Sequence, residues 1–172
     1  SSLEAIIQAA RAIRCGDAEL IIAGGVESMS RAPYALPKSS GVSFGNLTAF
    51  DTALGWRFPN KSMEKLFPLE SMGETAENVA ELYSITRERQ DVYALNSHLK
   101  ANKANEMKIL AEEITPVEIK GKKGEISLVD YDEQPRKDSN LEQLAKLKPV
   151  FREGGVVTAG NSSTLNDGAA AV

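Results

Sequence analysis

A layered α/β fold is predicted by three features of this chain. A helix-patterned stretch near the start runs through a tight turn into a short apolar run, a second short apolar run lies near the end, and a long polar, loop-rich stretch separates them. Short runs rich in β-branched residues are the pattern of strands covered on both faces, and a helix leading directly into one suggests sheet and helix in stacked layers.

The 172 residues suffice for one ordinary domain with a sizeable core. Apolar and charged fractions of 42% and 26% are those of a globular protein and exclude disorder. The net charge of -4 comes from interspersed residues of both signs, so no basic stripe tracks phosphates and nucleic acid is not an expected partner. No apolar stretch approaches the roughly 20 residues needed to cross a bilayer. The start, Ser1-Ser2-Leu3-Glu4, lacks the layout of a signal peptide, so no membrane partner is expected and the expected location is cytoplasmic. Cys15 is the one cysteine and has no internal disulfide partner, which suits a reducing compartment. The opening without Met and the closing run Gly168-Ala169-Ala170-Ala171-Val172 give the expectation that this is an internal piece of a longer chain.

In residues 3–14, Leu3, Ile6, Ile7, Ala9, Ala10 and Ile13 cover most of a helical surface, leaving Glu4, Gln8 and Arg11 as a narrow polar stripe. This helix is expected to be mostly buried. Gly16-Asp17 stops it, and Leu20-Ile21-Ile22-Ala23 is expected to be a buried strand, with Gly24-Gly25 as its tight exit. Residues 30–60 lose periodicity among Pro33, Pro37, Ser39 and Ser40, with Tyr34, Phe44, Phe50, Trp56 and Phe58 expected to hold an irregular excursion in place.

Order returns at Met72, where Met72, Ala76, Val79, Ala80 and Tyr83 share one helical face. Thr86 is placed to cap a second helix that turns Val92, Leu95 and Leu99 inward. Residues 114–119 alternate with period two, Gly121-Lys122-Lys123-Gly124 turns the chain, and residues 125–128 return, which predicts a β-hairpin. A short helix starts at Leu141 and ends by Pro149; Val156-Val157-Thr158-Ala159 is expected to be a second buried strand, and the two chain ends are expected to share one sheet.

Three stretches carry a family resemblance. They are Gly16-Asp17-Ala18 with Ile21-Ile22-Ala23-Gly24-Gly25-Val26-Glu27-Ser28-Met29-Ser30; Gly73-Glu74-Thr75-Ala76-Glu77-Asn78-Val79-Ala80; and Thr158-Ala159-Gly160-Asn161-Ser162-Ser163 with Leu165-Asn166-Asp167-Gly168-Ala169-Ala170. In this order they resemble thiolases. The resemblance implies two similar α/β halves stacked in five layers, with a loop domain inserted into the first half to hold coenzyme A. On that mapping residues 1–29 and 156–172 are part of the N-terminal domain, residues 30–155 form the loop domain, and the C-terminal domain is absent.

Thiolase chemistry needs a thiolate to take up the acyl group, a base to generate it, and a second acid or base at the acetyl carbon. The resemblance implies Cys, His and a second Cys in these roles. The first falls two residues before Ser1 and the others beyond Val172, so the piece alone is expected to be inactive. Cys15, at the end of an apolar helix, is read as a packing residue, and His98, in a polar stretch, as a surface residue. No catalytic residue and no metal ligand is assigned.

Binding residues are implied instead. Ser163 would bond the pantetheine amide and Ala159 would line the same channel; Arg136 matches a residue near the adenine and phosphate end, and Leu147 and Phe151 match apolar contacts of adenine and pantetheine. As ordinary chemistry, Leu147 and Phe151 also suit the core of a short helix and its exit, and Arg136 suits a solvated surface. Ser71 and Met72 complete the set: Ser71 stands where acetoacetyl-CoA-forming thiolases often carry His, and with Trp56-Arg57-Phe58 it resembles the degradative 3-oxoacyl-CoA type. Lys120, Lys122 and Lys123 read as a solvated hairpin tip, and Gly24-Gly25 lacks the Lys-Ser/Thr of a phosphate loop. The implied function is acyl transfer between 3-oxoacyl-CoA and coenzyme A, with acyl-CoA as substrate, no permanently bound cofactor, and assembly as a homodimer or homotetramer. An acyl-CoA-binding or scaffold protein without turnover is the alternative.

Overall fold

The computed structural model describes residues 2–38, 44–122 and 124–172. The chain divides into two compact units, one running to Ser71 and resuming at Thr164–Val172, the other Met72–Ser163.

In the first unit, helix α1 (Ser2–Cys15) carries Glu4 in its first turn and Arg14 in its last, both favourable to the helix dipole. Gly16 stops it at φ 81°, a left-handed conformation that glycine adopts without strain. Strand β1 (Gly24–Glu27) follows, and at the far end of the chain β6 (Gly168–Ala171) pairs with it antiparallel, Gly24 opposite Ala171 and Glu27 opposite Gly168. Ala23 and Val172 extend the ladder by exchanging both backbone hydrogen bonds. The expectation that both ends share a sheet holds.

Three expectations are corrected here. The strand begins at Gly24, so Gly24-Gly25 is not an exit but part of the ladder; a Cβ at residue 24 would lie 2.8 Å from the Ala170 carbonyl oxygen. Of residues 20–23 only Ala23 is buried, while Leu20 and Ile22 are 86% and 80% exposed. No residue of α1 is buried, although Ala5, Ile7, Ala9 and Ala12 are half-covered. The reason is common to all three: in this unit α1 and the two-stranded ladder cover each other on one side only.

The excursion after β1 is more ordered than its composition predicts. A 3-10 turn at Met29–Arg31 leads to β2 (Tyr34–Ala35), which pairs antiparallel with β3 (Phe50–Asp51). Phe50 and Phe58 meet edge to face at 5.3 Å, and the Trp56 indole donates to the Glu70 carbonyl. These aromatics do hold the excursion, whereas Tyr34 and Phe44 are exposed. Ser39 and Ser40 lie outside the described residues, as does Lys123 of the hairpin tip. Asn60 caps the short α2 (Lys61–Glu64) through the Ser62 amide.

The second unit opens with α3 (Met72–Leu82) and α4 (Arg87–Glu106), the latter capped by the Thr86 hydroxyl at the Arg89 amide as the sequence predicts. Of the predicted apolar faces, Ala80 is buried and Leu95 half-covered, and the other positions are exposed. α3 buries Glu77 and Ala80 and leaves Met72 82% exposed and Val79 exposed; α4 buries Asp91 and Asn102 and leaves Val92 and Leu99 exposed. The two carboxylates turn inward because backbone and side-chain donors meet them there, and Asn102 donates to the Arg136 carbonyl. The hairpin is as predicted, β4 (Val117–Lys120) antiparallel to β5 (Ile126–Val129), with Gly124 at φ 80° in the turn. α5 (Leu141–Ala145) is capped by Asn140 and buries Leu144. Val157 and Thr158 are buried as expected, but residues 156–159 make a single bridge, Thr158 to Pro149, rather than a strand.

Candidate functional site

The segment 147–163 is where the second unit brings most of the predicted ligand contacts together. Its two halves run antiparallel at the Pro149–Thr158 bridge, with the Val150 amide donating to the Val157 carbonyl. Gly160 then presses on α5 and its exit so closely that a Cβ there would lie 2.5 Å from both Leu144 Cδ2 and Leu147 Cδ1. Ala159 adjoins this seam in sequence, just before Gly160. Phe151 packs on the start of α3, where a Cβ at residue 73 would meet its ring at 2.3 Å; Gly73 is what leaves room for the ring there.

Two buried carboxylates fix the backbone of this segment. Glu77, 3% exposed, accepts from the amides of Val156 at 2.9 Å and Val157 at 2.8 Å. Asp91, also 3% exposed, accepts from Arg87 Nε at 2.8 Å and from Asn161 Nδ2 at 3.1 Å. Arg152 reaches the outer stripe of α3, donating to Glu74, Asn78 and Glu81, and the Glu74 carboxylate in particular holds its pKa above the ordinary arginine value. Sequence reasoning missed Glu77, Asp91, Arg87 and Asn161. The signal available was modest: two acids at positions that interrupt apolar helical faces.

Ser163 and Ala159 are exposed at the end of the seam, Leu147 and Phe151 are partly exposed along it, and Met72 is exposed at the first position of α3. Ser71 precedes Met72 in the chain and belongs to the first unit. Arg136 is held elsewhere on α4. Its amide donates to His98 Nδ1 at 3.2 Å and its carbonyl accepts from Asn102 Nδ2 at 2.9 Å, two to three turns beyond Asp91 and so about 10–16 Å along the helix. His98, expected as a surface residue, is half-covered and committed to this bond. Cys15 is exposed at the last position of α1, so its reading as a packing residue is corrected.

A hollow of about 500 Å³ opens beside Glu77, Ser84, Thr86, Arg152 and Gly155. It contains none of the predicted contacts, and its charged walls are already engaged, Arg152 with Glu81 and Glu77 with the Val156 and Val157 amides, so the Leu147–Gly160 seam is the better candidate. Among the described residues no group of three or more His, Cys, Asp or Glu is arranged to hold a metal ion, and no helix is long and apolar enough to cross a membrane.

The family model for the thiolase N-terminal domain matches residues 1–172. A 3-oxoadipyl-CoA/3-oxo-5,6-dehydrosuberyl-CoA thiolase of Escherichia coli strain K12 is 53% identical over 172 residues, covering 100% of this chain and 43% of that protein. A beta-ketoadipyl-CoA thiolase of Acinetobacter baylyi is 53% identical over 173 residues, with the same coverage. Among solved structures, an acetyl-CoA acetyltransferase from Syntrophomonas wolfei matches at a TM-score of 0.82 and 41% identity, over 99% of this chain and 42% of its own. The chain thus spans less than half the length of the relatives it matches.

Proposed function

The chain belongs to the thiolase family, matching its N-terminal domain throughout, and on that premise we propose that the full-length protein transfers acyl groups between 3-oxoacyl-CoA and coenzyme A. In the degradative direction a thiolate adds to the C3 carbonyl and the C2–C3 bond breaks with its electron pair moving to C2. That carbon takes up a proton to give acetyl-CoA, and the acyl group leaves the enzyme sulfur when the thiol of a second coenzyme A attacks.

The observation that carries this reading is the 53% identity along the whole chain to a thiolase named for 3-oxoadipyl-CoA. It also suggests the substrate class, 3-oxoacyl-CoA whose acyl chain ends in a carboxylate. In this reading the exposed edge of the seam takes the ligand: Ser163 donates to or accepts from a pantetheine amide, Ala159 leaves room for the arm, and Leu147 and Phe151 offer apolar surface to adenine and pantetheine. Arg136, on its separate support, faces phosphate, and Ser71 and Met72 border the acyl end. Residues 30–155 serve as the coenzyme A-holding insertion.

The 172 residues contribute binding rather than bond-breaking. Their one cysteine and one histidine lie in different units, and His98 Nδ1 is occupied by the Arg136 amide. The same reading gives a homodimer or homotetramer. The test is coenzyme A-dependent release of acetyl-CoA from 3-oxoadipyl-CoA and from acetoacetyl-CoA. The full-length protein is expected to turn over both and to prefer the first, and residues 1–172 alone are expected to turn over neither. Failure of the full-length protein on both substrates, with binding retained, would leave an acyl-CoA-binding protein; turnover by residues 1–172 would overturn the inventory of missing groups.

A further inference from the structure

We propose that Arg87, Asp91 and Asn161 form a positioning relay that ties the pantetheine-facing turn to the adenine-facing exit of α5. The inference rests on the coenzyme A reading above and adds a mechanism for keeping two separate contact segments in register.

The relay is continuous and buried at its centre. Asn161 holds its own turn with both ends of its amide: Oδ1 accepts from the Thr158 amide at 2.7 Å, and Nδ2 donates to the Val156 carbonyl at 3.0 Å. The same Nδ2 donates to Asp91 Oδ1 at 3.1 Å, and the other oxygen of Asp91 accepts from Arg87 Nε at 2.8 Å. Arg87 Nη2 then donates to the Leu147 carbonyl at 3.0 Å, just past the end of α5, and to the Leu144 carbonyl in its last turn, which also accepts from the Leu147 amide.

No member of the relay is among the predicted ligand contacts, yet its two ends hold the backbone next to Ala159 and at Leu147. Asp91 sits between an amide and a guanidinium, one on each oxygen, so its charge is neutralised by Arg87 and its geometry is fixed on two sides. A movement of either segment must break a charge-assisted bond. Gly160 lets Leu144 Cδ2 and Leu147 Cδ1 pack against the turn, since a Cβ there would displace both leucine side chains.

The two ends predict different kinetic signatures. Asn161→Ala frees the turn that faces pantetheine, a part shared by acetoacetyl-CoA and acetoacetyl-pantetheine. Arg87→Gln frees the α5 exit that faces adenine, which only acetoacetyl-CoA possesses. In the full-length protein Asn161→Ala is expected to raise KM for both thioesters by about tenfold, the loss of roughly one charged hydrogen bond. Arg87→Gln is expected to raise KM about tenfold for acetoacetyl-CoA and about twofold or less for acetoacetyl-pantetheine. In each case kcat should change far less than KM, whereas a merely structural loss would lower the folded fraction and with it kcat, leaving KM alone.

Ser163→Ala and Leu147→Ala separate this proposal from the reading beneath it. If they leave KM for acetoacetyl-CoA unchanged, the coenzyme A reading and the relay fall together; if they raise it while the relay variants do not, only the relay falls. Equal effects of Arg87→Gln on the two thioesters would also overturn it. Where Asn161→Ala does not accumulate as folded protein, the isosteric Asp91→Asn replaces it and is judged by the same split between KM and kcat.

Discussion

Glu77 and Asp91 show how far an acidic side chain can be drawn inward when donors await it. Glu77 meets two backbone amides and Asp91 a guanidinium and a carboxamide, so neither carboxylate is left unpaired at its buried depth. Ser162 is the contrasting case. Its hydroxyl is enclosed without a hydrogen-bond partner, beside Asn161, whose amide is fully used. An enclosed hydroxyl of this kind costs free energy relative to a methyl group of similar size, and the turn does not depend on it. Ser162→Ala is therefore expected to stabilise the protein by about 1 kcal/mol, read as a higher urea midpoint at unchanged slope. A loss of stability would mean that the hydroxyl is satisfied in solution. That enclosure depends on the surrounding turn and is invisible in a string of residues.

At the scale of elements, β1 and β6 are joined by more than their ladder. Asp167, just before β6, accepts from the Ser30 hydroxyl at 2.6 Å, the Ser30 amide at 2.8 Å and the Ser28 hydroxyl at 3.4 Å, all just after β1. These bonds, the Ser30 hydroxyl first, favour the ionised form and hold the Asp167 carboxyl below the usual aspartate range. A depressed folded-state pKa contributes stability that is fully present above the unfolded value and is lost as pH falls through the folded one. The wild-type protein is thus expected to lose stability more steeply than Asp167→Asn in the acid range below about pH 4, while the variant is less stable near neutrality. Urea midpoints of the two across pH would show parallel curves if the contact were idle. Elements defined by local signals were legible from sequence: the Thr86 cap, the hairpin with its glycines, the helices at Met72 and Leu141. The faces of α3 and α4 were legible only in part, because the groups that meet Glu77 and Asn102, and the Asn161 carboxamide on Asp91, lie more than 30 residues away along the chain. The candidate site followed the same division. Ala159, Leu147 and Phe151 were assigned through the family resemblance, and the groups that hold their backbone are visible only in the structure.

On the scale of the whole molecule, apolar surface is exposed in places where a folded protein normally covers it. Leu3 on α1, Leu20 and Ile22 ahead of β1, and Val26 within it are all largely open, and β1 and β6 form a sheet of only two strands. A two-stranded ladder is marginal alone, and its outer edges offer unpaired backbone to any neighbour. Covering those four side chains would contribute about 8 kcal/mol gross, which is roughly the scale of a micromolar complex before the cost of association is subtracted. Residues 1–172 produced alone are therefore expected to self-associate weakly, toward the millimolar range once a cost of at least about 4 kcal/mol is counted, with light scattering showing a mass that rises with concentration. Val26→Lys, which places a charge on the ladder, should weaken this association without altering the second unit, whose folding can be followed by the burial of its own residues in hydrogen exchange. A constant monomer mass across the concentration range would contradict the argument, and an unchanged rise in mass for Val26→Lys would move the contact away from β1.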